Sequence, residues 1–70
     1  MKKRSVRIKG HATSVSLEEP FWEALRKIAT EKNQSLNELI GEIDARNPDA
    51  NLSSALRVYV LQYLQQQSNR

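Results

Sequence analysis

Five cations, Lys2, Lys3, Arg4, Arg7 and Lys9, stand in the first eleven residues with no carboxylate among them. Residues 12–70 carry six basic and eight acidic side chains, so the formal net charge of +3 is concentrated at the N-terminus. A basic segment on a near-neutral body is the footprint of a polyanion binder, because each Lys or Arg that meets a phosphate releases a condensed counterion. A solvated tail has the same composition, and charge alone does not choose between them. A second pattern adds chemistry. Ser35-Leu36-Asn37-Glu38 matches a capping box, in which the serine hydroxyl accepts from the N–H three residues on and the glutamate reaches back to the serine N–H. Such a helix start offers N–H groups and a positive dipole end, which favour an anion.

Other chemistries lack their residues. The chain has no cysteine, one histidine (His11, beside Gly10), no suggestive Ser/His spacing and no glycine-rich phosphate loop. No enzyme, metal site or cofactor is therefore expected. Glu18 and Glu19 lie just ahead of Pro20, where a helix start stabilises carboxylates without any catalytic purpose. No apolar run approaches the roughly 18 residues of a membrane span. The basic start lacks the apolar stretch of a signal peptide. The expectation is a cytoplasmic protein with no membrane contact.

The elements that would position these groups can be read from periodicity. Ala12-Thr13-Ser14-Val15-Ser16-Leu17 alternates as a strand does, with Thr13, Val15 and Leu17 on one face and Ala12, Ser14 and Ser16 on the other. Val6 and Ile8 are apolar at even positions, so a continuous strand would point them away from Val15 and Leu17. A two-residue turn at Lys9-Gly10 removes the conflict by pairing Ile8 with His11, Val6 with Thr13 and Arg4 with Val15. The alternative is a disordered arm, and both stay open for residues 1–11.

A first helix should begin at Pro20, which suits a first helical position, and end near Lys32-Asn33. Phe21, Leu25, Ile28 and Ala29 form its stripe, widened by Trp22. The second should open at Ser35 with Leu36, Leu39, Ile40 and Ile43 inward and stop at the Pro48 turn. The third should run from Asn51 or Ser53 to about Gln66, with Leu52, Leu56, Tyr59, Val60, Tyr63 and Leu64 on one broad face and Val58 and Leu61 beside it. Residues 67–70 read as a polar tail. No internal repeat and no domain boundary is visible, so residues 12–66 form one domain. A 70-residue chain without disulfide or metal has a thin core and gains from oligomerisation. A homodimer is expected, its core drawn from Val15, Leu17, Phe21, Trp22, Leu25, Ile28, Leu39, Ile40, Ile43, Leu56, Tyr59 and Val60.

This order of elements resembles the ribbon-helix-helix family of DNA-binding proteins. The stretch Leu25–Glu38 is similar to the end of the first helix, turn and second-helix start of Arc and MetJ type repressors. Lys3–Ile8 with Gly10-His11, Thr13–Glu18, Phe21-Trp22, Ile43-Asp44 and Asn51–Arg57 resemble a group of short bacterial ribbon-helix-helix proteins, over nearly the whole chain. The resemblance implies a mainly α fold with a short N-terminal β-ribbon and an added third helix, in an intertwined homodimer. It implies a repressor-type transcription regulator whose ribbon enters the major groove of double-stranded DNA. Ser14 and Ser16, with Arg7 if the hairpin forms, would then meet base edges. Lys2, Lys3, Arg4 and Lys9 would meet phosphates, with the helix start Ser35, Leu36 and Asn37 as clamp. Asn51–Arg57 reads as a second such start, so Ser53, Ser54 and Arg57 remain an alternative clamp. Ala12, Ser14 and Ser16 are shorter than the outward residues of ribbon readers generally. The rival reading is therefore a protein-interaction module, antitoxin-like or regulator-binding, with a protein partner on the third helix and little sequence-specific DNA binding.

Overall fold

The structure, a computed structural model, describes residues 1–68. It begins with an antiparallel hairpin of β1 (Lys2–Ile8) and β2 (His11–Leu17), followed by α1 (Glu19–Glu31), α2 (Leu36–Arg46) and α3 (Leu52–Ser68). Of the two readings for residues 1–11, the strand is the one formed. The register pairs Ile8 with His11, Val6 with Thr13 and Arg4 with Val15, as the apolar parity requires. Lys9 and Gly10 both have positive φ, 52° and 81°, which marks the type I′ turn that matches strand twist. Val6, Val15 and Leu17 are buried on the inner face, with Ile8 packed beside them.

The helices close over that face. Trp22, Leu25, Ile28 and Ala29 of α1, Leu39, Ile40 and Ile43 of α2, and Ala55, Leu56 and Val60 of α3 complete the core. Trp22 is fully buried, and its indole N–H donates to the Lys2 carbonyl at 2.9 Å, so the largest core side chain also ties down the start of β1. Of the residues expected in a dimer core, ten are buried within this one chain, and Phe21 and Tyr59 are partly buried against them.

Local chemistry fixes the helix limits. α1 starts at Glu19, with Pro20 in its first turn. It ends as the Gln34 N–H bonds the Ala29 carbonyl and the Asn33 N–H bonds Thr30, while Asn33 turns left-handed at φ 58°. That is the Schellman closure asparagine tolerates. The capping box at α2 is complete, with Glu38 N–H to Ser35 Oγ at 3.1 Å and Ser35 N–H to Glu38 Oε1 at 2.8 Å. Asn51 Oδ1 accepts from the Ser54 N–H at 3.2 Å at the start of α3.

α3 departs from expectation at both its face and its end. It runs through Ser68, past the boundary expected at Gln66, while the rest of the expected tail, residues 69–70, lies outside the described residues. Its buried seam is Ala55, Leu56 and Val60, with Leu52, Tyr59 and Tyr63 partly covered. Leu64, expected inward, is 50% exposed alongside Val58 and Leu61. The seam follows a narrower stripe than hydrophobicity suggests, because only one side of α3 meets the hairpin, α1 and α2.

Candidate nucleic-acid interface

The hairpin register sorts the N-terminal residues onto two faces. Lys3, Ser5 and Arg7 of β1 stand beside Ser16, Ser14 and Ala12 of β2 on the outer face, away from the helices. All are exposed except Ser16, which is intermediate. This row carries two cations, three hydroxyls and one methyl, with no carboxylate. Lys9 extends the positive charge at the turn. A two-stranded ribbon is narrow enough to enter the roughly 12 Å major groove of duplex DNA, and Arg7 has the reach and fork for guanine O6 and N7. Ser14 and Ser16 can hydrogen-bond several bases, whereas the long cationic side chains of the row, Lys3 and Arg7, have the chemistry to favour guanine.

The other expected cations are placed differently. Lys2 and Arg4 lie on the inner face by parity. The Arg4 guanidinium stacks 5.6 Å from the centroid of the Trp22 ring, and its Nε is buried without a hydrogen-bond partner. A guanidinium lying over an indole is held by the ring's negative face and by packing. Arg4 is thus removed from the outer row, where its expected phosphate role would place it. Ser5 is absent from the contacts expected from sequence yet lies at the centre of the row, on the face that the hairpin register read from the sequence also gives it.

Two helix starts flank the ribbon. Asn37, in the first turn of α2, accepts a 3.4 Å hydrogen bond from the Arg7 backbone N–H through Oδ1. Ser53, in the first turn of α3, donates through Oγ to the Ser16 carbonyl at 3.2 Å. The expected clamp of Ser35, Leu36 and Asn37 therefore stands beside β1, and the alternative of Ser53, Ser54 and Arg57 stands beside β2. They differ electrostatically. The Glu38 carboxylate of the capping box sits at the α2 start, where it would compete with an anion, whereas the first turn of α3 holds no acid. Arg57 is engaged by Glu18, Nε to Oε1 at 3.1 Å. The backbone hydrogen bond at Glu18, then that guanidinium, hold the Glu18 carboxyl below its ordinary range. His11 is exposed opposite Ile8 at the turn.

No group of three or more His, Cys, Asp or Glu side chains among the described residues could hold a metal ion. No helix among them is long and apolar enough to cross a membrane.

No curated protein matches the chain. Among solved structures, it is similar to an uncharacterized protein from Bordetella pertussis Tohama I, with a TM-score of 0.82 and 38% sequence identity. That match covers 96% of this chain and 58% of the other, so the chain spans little more than half that protein's length. The family described as the ribbon-helix-helix domain matches residues 1–64. With the hairpin, the amphipathic α1 and the capped α2 start in that order, the chain belongs to the ribbon-helix-helix domain family.

Proposed function

We propose that this chain is a DNA-binding transcription regulator of the cytoplasm, which lays the outer face of its hairpin in the major groove. Domains of its family generally bind DNA as dimers, in transcription regulators or antitoxins, and are typically non-enzymatic. The observation that carries the reading is the outer row Lys3, Ser5, Arg7, Ala12, Ser14 and Ser16, cationic, short and free of carboxylates. Arg7, Ser14 and Ser16 meet base edges in this reading. Lys3 and Lys9 meet phosphates, and the α2 start supplies backbone N–H groups to a phosphate that fixes docking.

A homodimer belongs to the same proposal. Val58, Leu61 and Leu64 are 51%, 55% and 50% exposed and form a stripe three residues apart on α3. The stripe carries no charge, so like-charge repulsion does not oppose a second copy there. A two-fold axis through Leu61 would set each Val58 against Leu64 of the other copy, which makes the surface self-complementary. The same stripe favours the rival reading, in which α3 holds a different protein and the ribbon is idle.

Fluorescence anisotropy of a random-sequence duplex across a salt series separates the two. Charge substitution is the right perturbation, because removing residues 1–9 would delete β1 and the buried Val6 with it. Neutralising about five phosphates per dimer gives a log–log salt slope of roughly −4 to −5. The variant Lys3→Gln/Arg7→Gln/Lys9→Gln should bind weakly with a flatter slope. No binding by the intact chain at low salt would overturn the DNA reading in favour of the protein-interaction module.

A further inference from the structure

The two strands of the hairpin repeat one another, and so do the starts of the last two helices. A two-fold axis through the Ser5–Ser14 pair moves each β1 residue onto the β2 residue nine positions later, given the register. Under it Ser5-Val6-Arg7-Ile8 falls on Ser14-Val15-Ser16-Leu17, which keeps the serine, the valine and a γ- or β-branched aliphatic in place. Val6 and Val15 are both buried. The same operation relates Arg7 to Ser16, the two strand residues whose backbone is tied to a helix start. Asn37 takes the first and Ser53 the second.

Those helix starts also match in sequence at a spacing of sixteen. Ser35-Leu36-Asn37 corresponds to Asn51-Leu52-Ser53, and the next inward pairs are Leu39 with Ala55 and Ile40 with Leu56, all four buried. α2 packs against β1 as α3 packs against β2. The repeat escapes sequence inspection because it is four residues long in the strands and diverged in the helices. It emerges only when register and contacts say which positions to compare.

We infer that one copy of this chain is a complete ribbon unit. It supplies both strands of the ribbon and a flanking helix start on each side, and a second copy contributes no strand. The inference rests on the DNA reading above for what the ribbon meets, and departs from an intertwined dimer in where the ribbon comes from. Three observations support it. The ribbon closes through a two-residue type I′ turn, too short to leave the strands free to exchange without opening it. The core beneath is shut within one chain, with Leu17, Trp22, Leu25, Leu39, Ile40 and Leu56 at 0% exposure. The Cα radius of gyration is 11.7 Å, against about 11 Å for a compact domain of this length. The two-fold is one of backbone and not of charge: Lys3 falls on Ala12 and Arg7 on Ser16, so all the outer cations ride on β1.

A cross-strand disulfide tests this, and the absence of native cysteine keeps the result clean. Val6 and Thr13 stand directly opposite, where Cα atoms lie about 4.5–5.5 Å apart, within disulfide reach. Neither contacts DNA in the reading above. The variant Val6→Cys/Thr13→Cys, oxidised at several concentrations, should give a covalent monomer of intact mass two daltons lower. A concentration-independent covalent dimer would overturn the inference. Circular dichroism checks that the reduced variant is folded, and the lone substitution Thr13→Cys supplies the level of chance dimers. Salt-dependent binding to the random duplex is then compared between oxidised and reduced forms. Equal affinity within about twofold supports a ribbon that docks as one chain, and binding by the reduced form alone overturns it. If neither form binds, the DNA reading fails and takes the docking claim with it, while the mass still decides which chain supplies the strands.

Discussion

Arg4 and Arg7 are three residues apart, equally charged, and do opposite things. Arg4 lies inward over Trp22 and Arg7 points outward from an exposed position. Strand parity separates them, and parity is legible once a turn at Lys9-Gly10 is allowed. The cation stacked on a buried indole is not legible, because it needs the tertiary approach of β1 to α1. Arg7→Ala should leave stability within about 0.5 kcal/mol, as for other surface changes, while costing a selected DNA site about 1–3 kcal/mol. Equal weakening on every sequence, measured by anisotropy on selected and scrambled duplexes, would reassign Arg7 from base to phosphate. Trp22→Phe should destabilise by about 1–3 kcal/mol, since it leaves the Lys2 carbonyl unpaired and opens space in the core. Urea unfolding followed by circular dichroism should show the midpoint fall with an unchanged slope.

Elements differ in how locally they are specified. The capping box of α2 and the left-handed Asn33 are set by four or five adjacent residues, so both can be placed from sequence. The inward seam of α3 depends on which neighbours it meets, so periodicity alone misses Ala55 and overcounts Leu64. The same gap leaves two candidate phosphate clamps. Glu38→Gln separates them: it keeps a side-chain acceptor for the Ser35 N–H and removes the carboxylate from the α2 start. Random-duplex affinity should rise about two- to fivefold if α2 is the clamp, since a charge near a helix start is worth roughly 0.3–1 kcal/mol. No change would point to the α3 start. Ion pairs between elements give a pH dependence. The salt bridge of Glu42 with Lys32, Oε1 to Nζ at 3.1 Å, joins α2 to the end of α1. The Lys32 hydrogen bond lowers the Glu42 carboxyl, as the backbone hydrogen bond and Arg57 lower Glu18. A carboxyl lowered on folding contributes stability that is present above its unfolded pKa and lost as pH falls through the folded one. Melting temperature should therefore decline below the ordinary carboxylate range, modestly because both groups are solvated. Glu42→Gln should flatten that decline.

The whole molecule folds its apolar groups into one chain and leaves three aliphatics of α3 at the surface. Sequence reasoning expects a partner to cover the core, because a chain of 70 residues has little interior of its own. The hairpin changes that balance: β1 adds Val6 to the core, packs Ile8 against it and lays the Arg4 guanidinium over Trp22, cover that would otherwise need a second copy. What a dimer still has to gain is the stripe Val58, Leu61 and Leu64. Association through that stripe, as proposed above, would leave each hairpin intact, so ribbon formation and dimerisation become separable. Leu61→Glu puts a carboxylate at the centre of the stripe in both copies. Losing two leucines from an interface at roughly 1.5 kcal/mol each should weaken the dimer about a hundredfold. Sedimentation should show a monomer at concentrations where the unaltered chain is a dimer. Because Leu61 is already 55% exposed, the fold and its melting temperature should change little. DNA affinity should fall only by the avidity of the second ribbon, and a dimer that survives the substitution would move the contact elsewhere on the molecule.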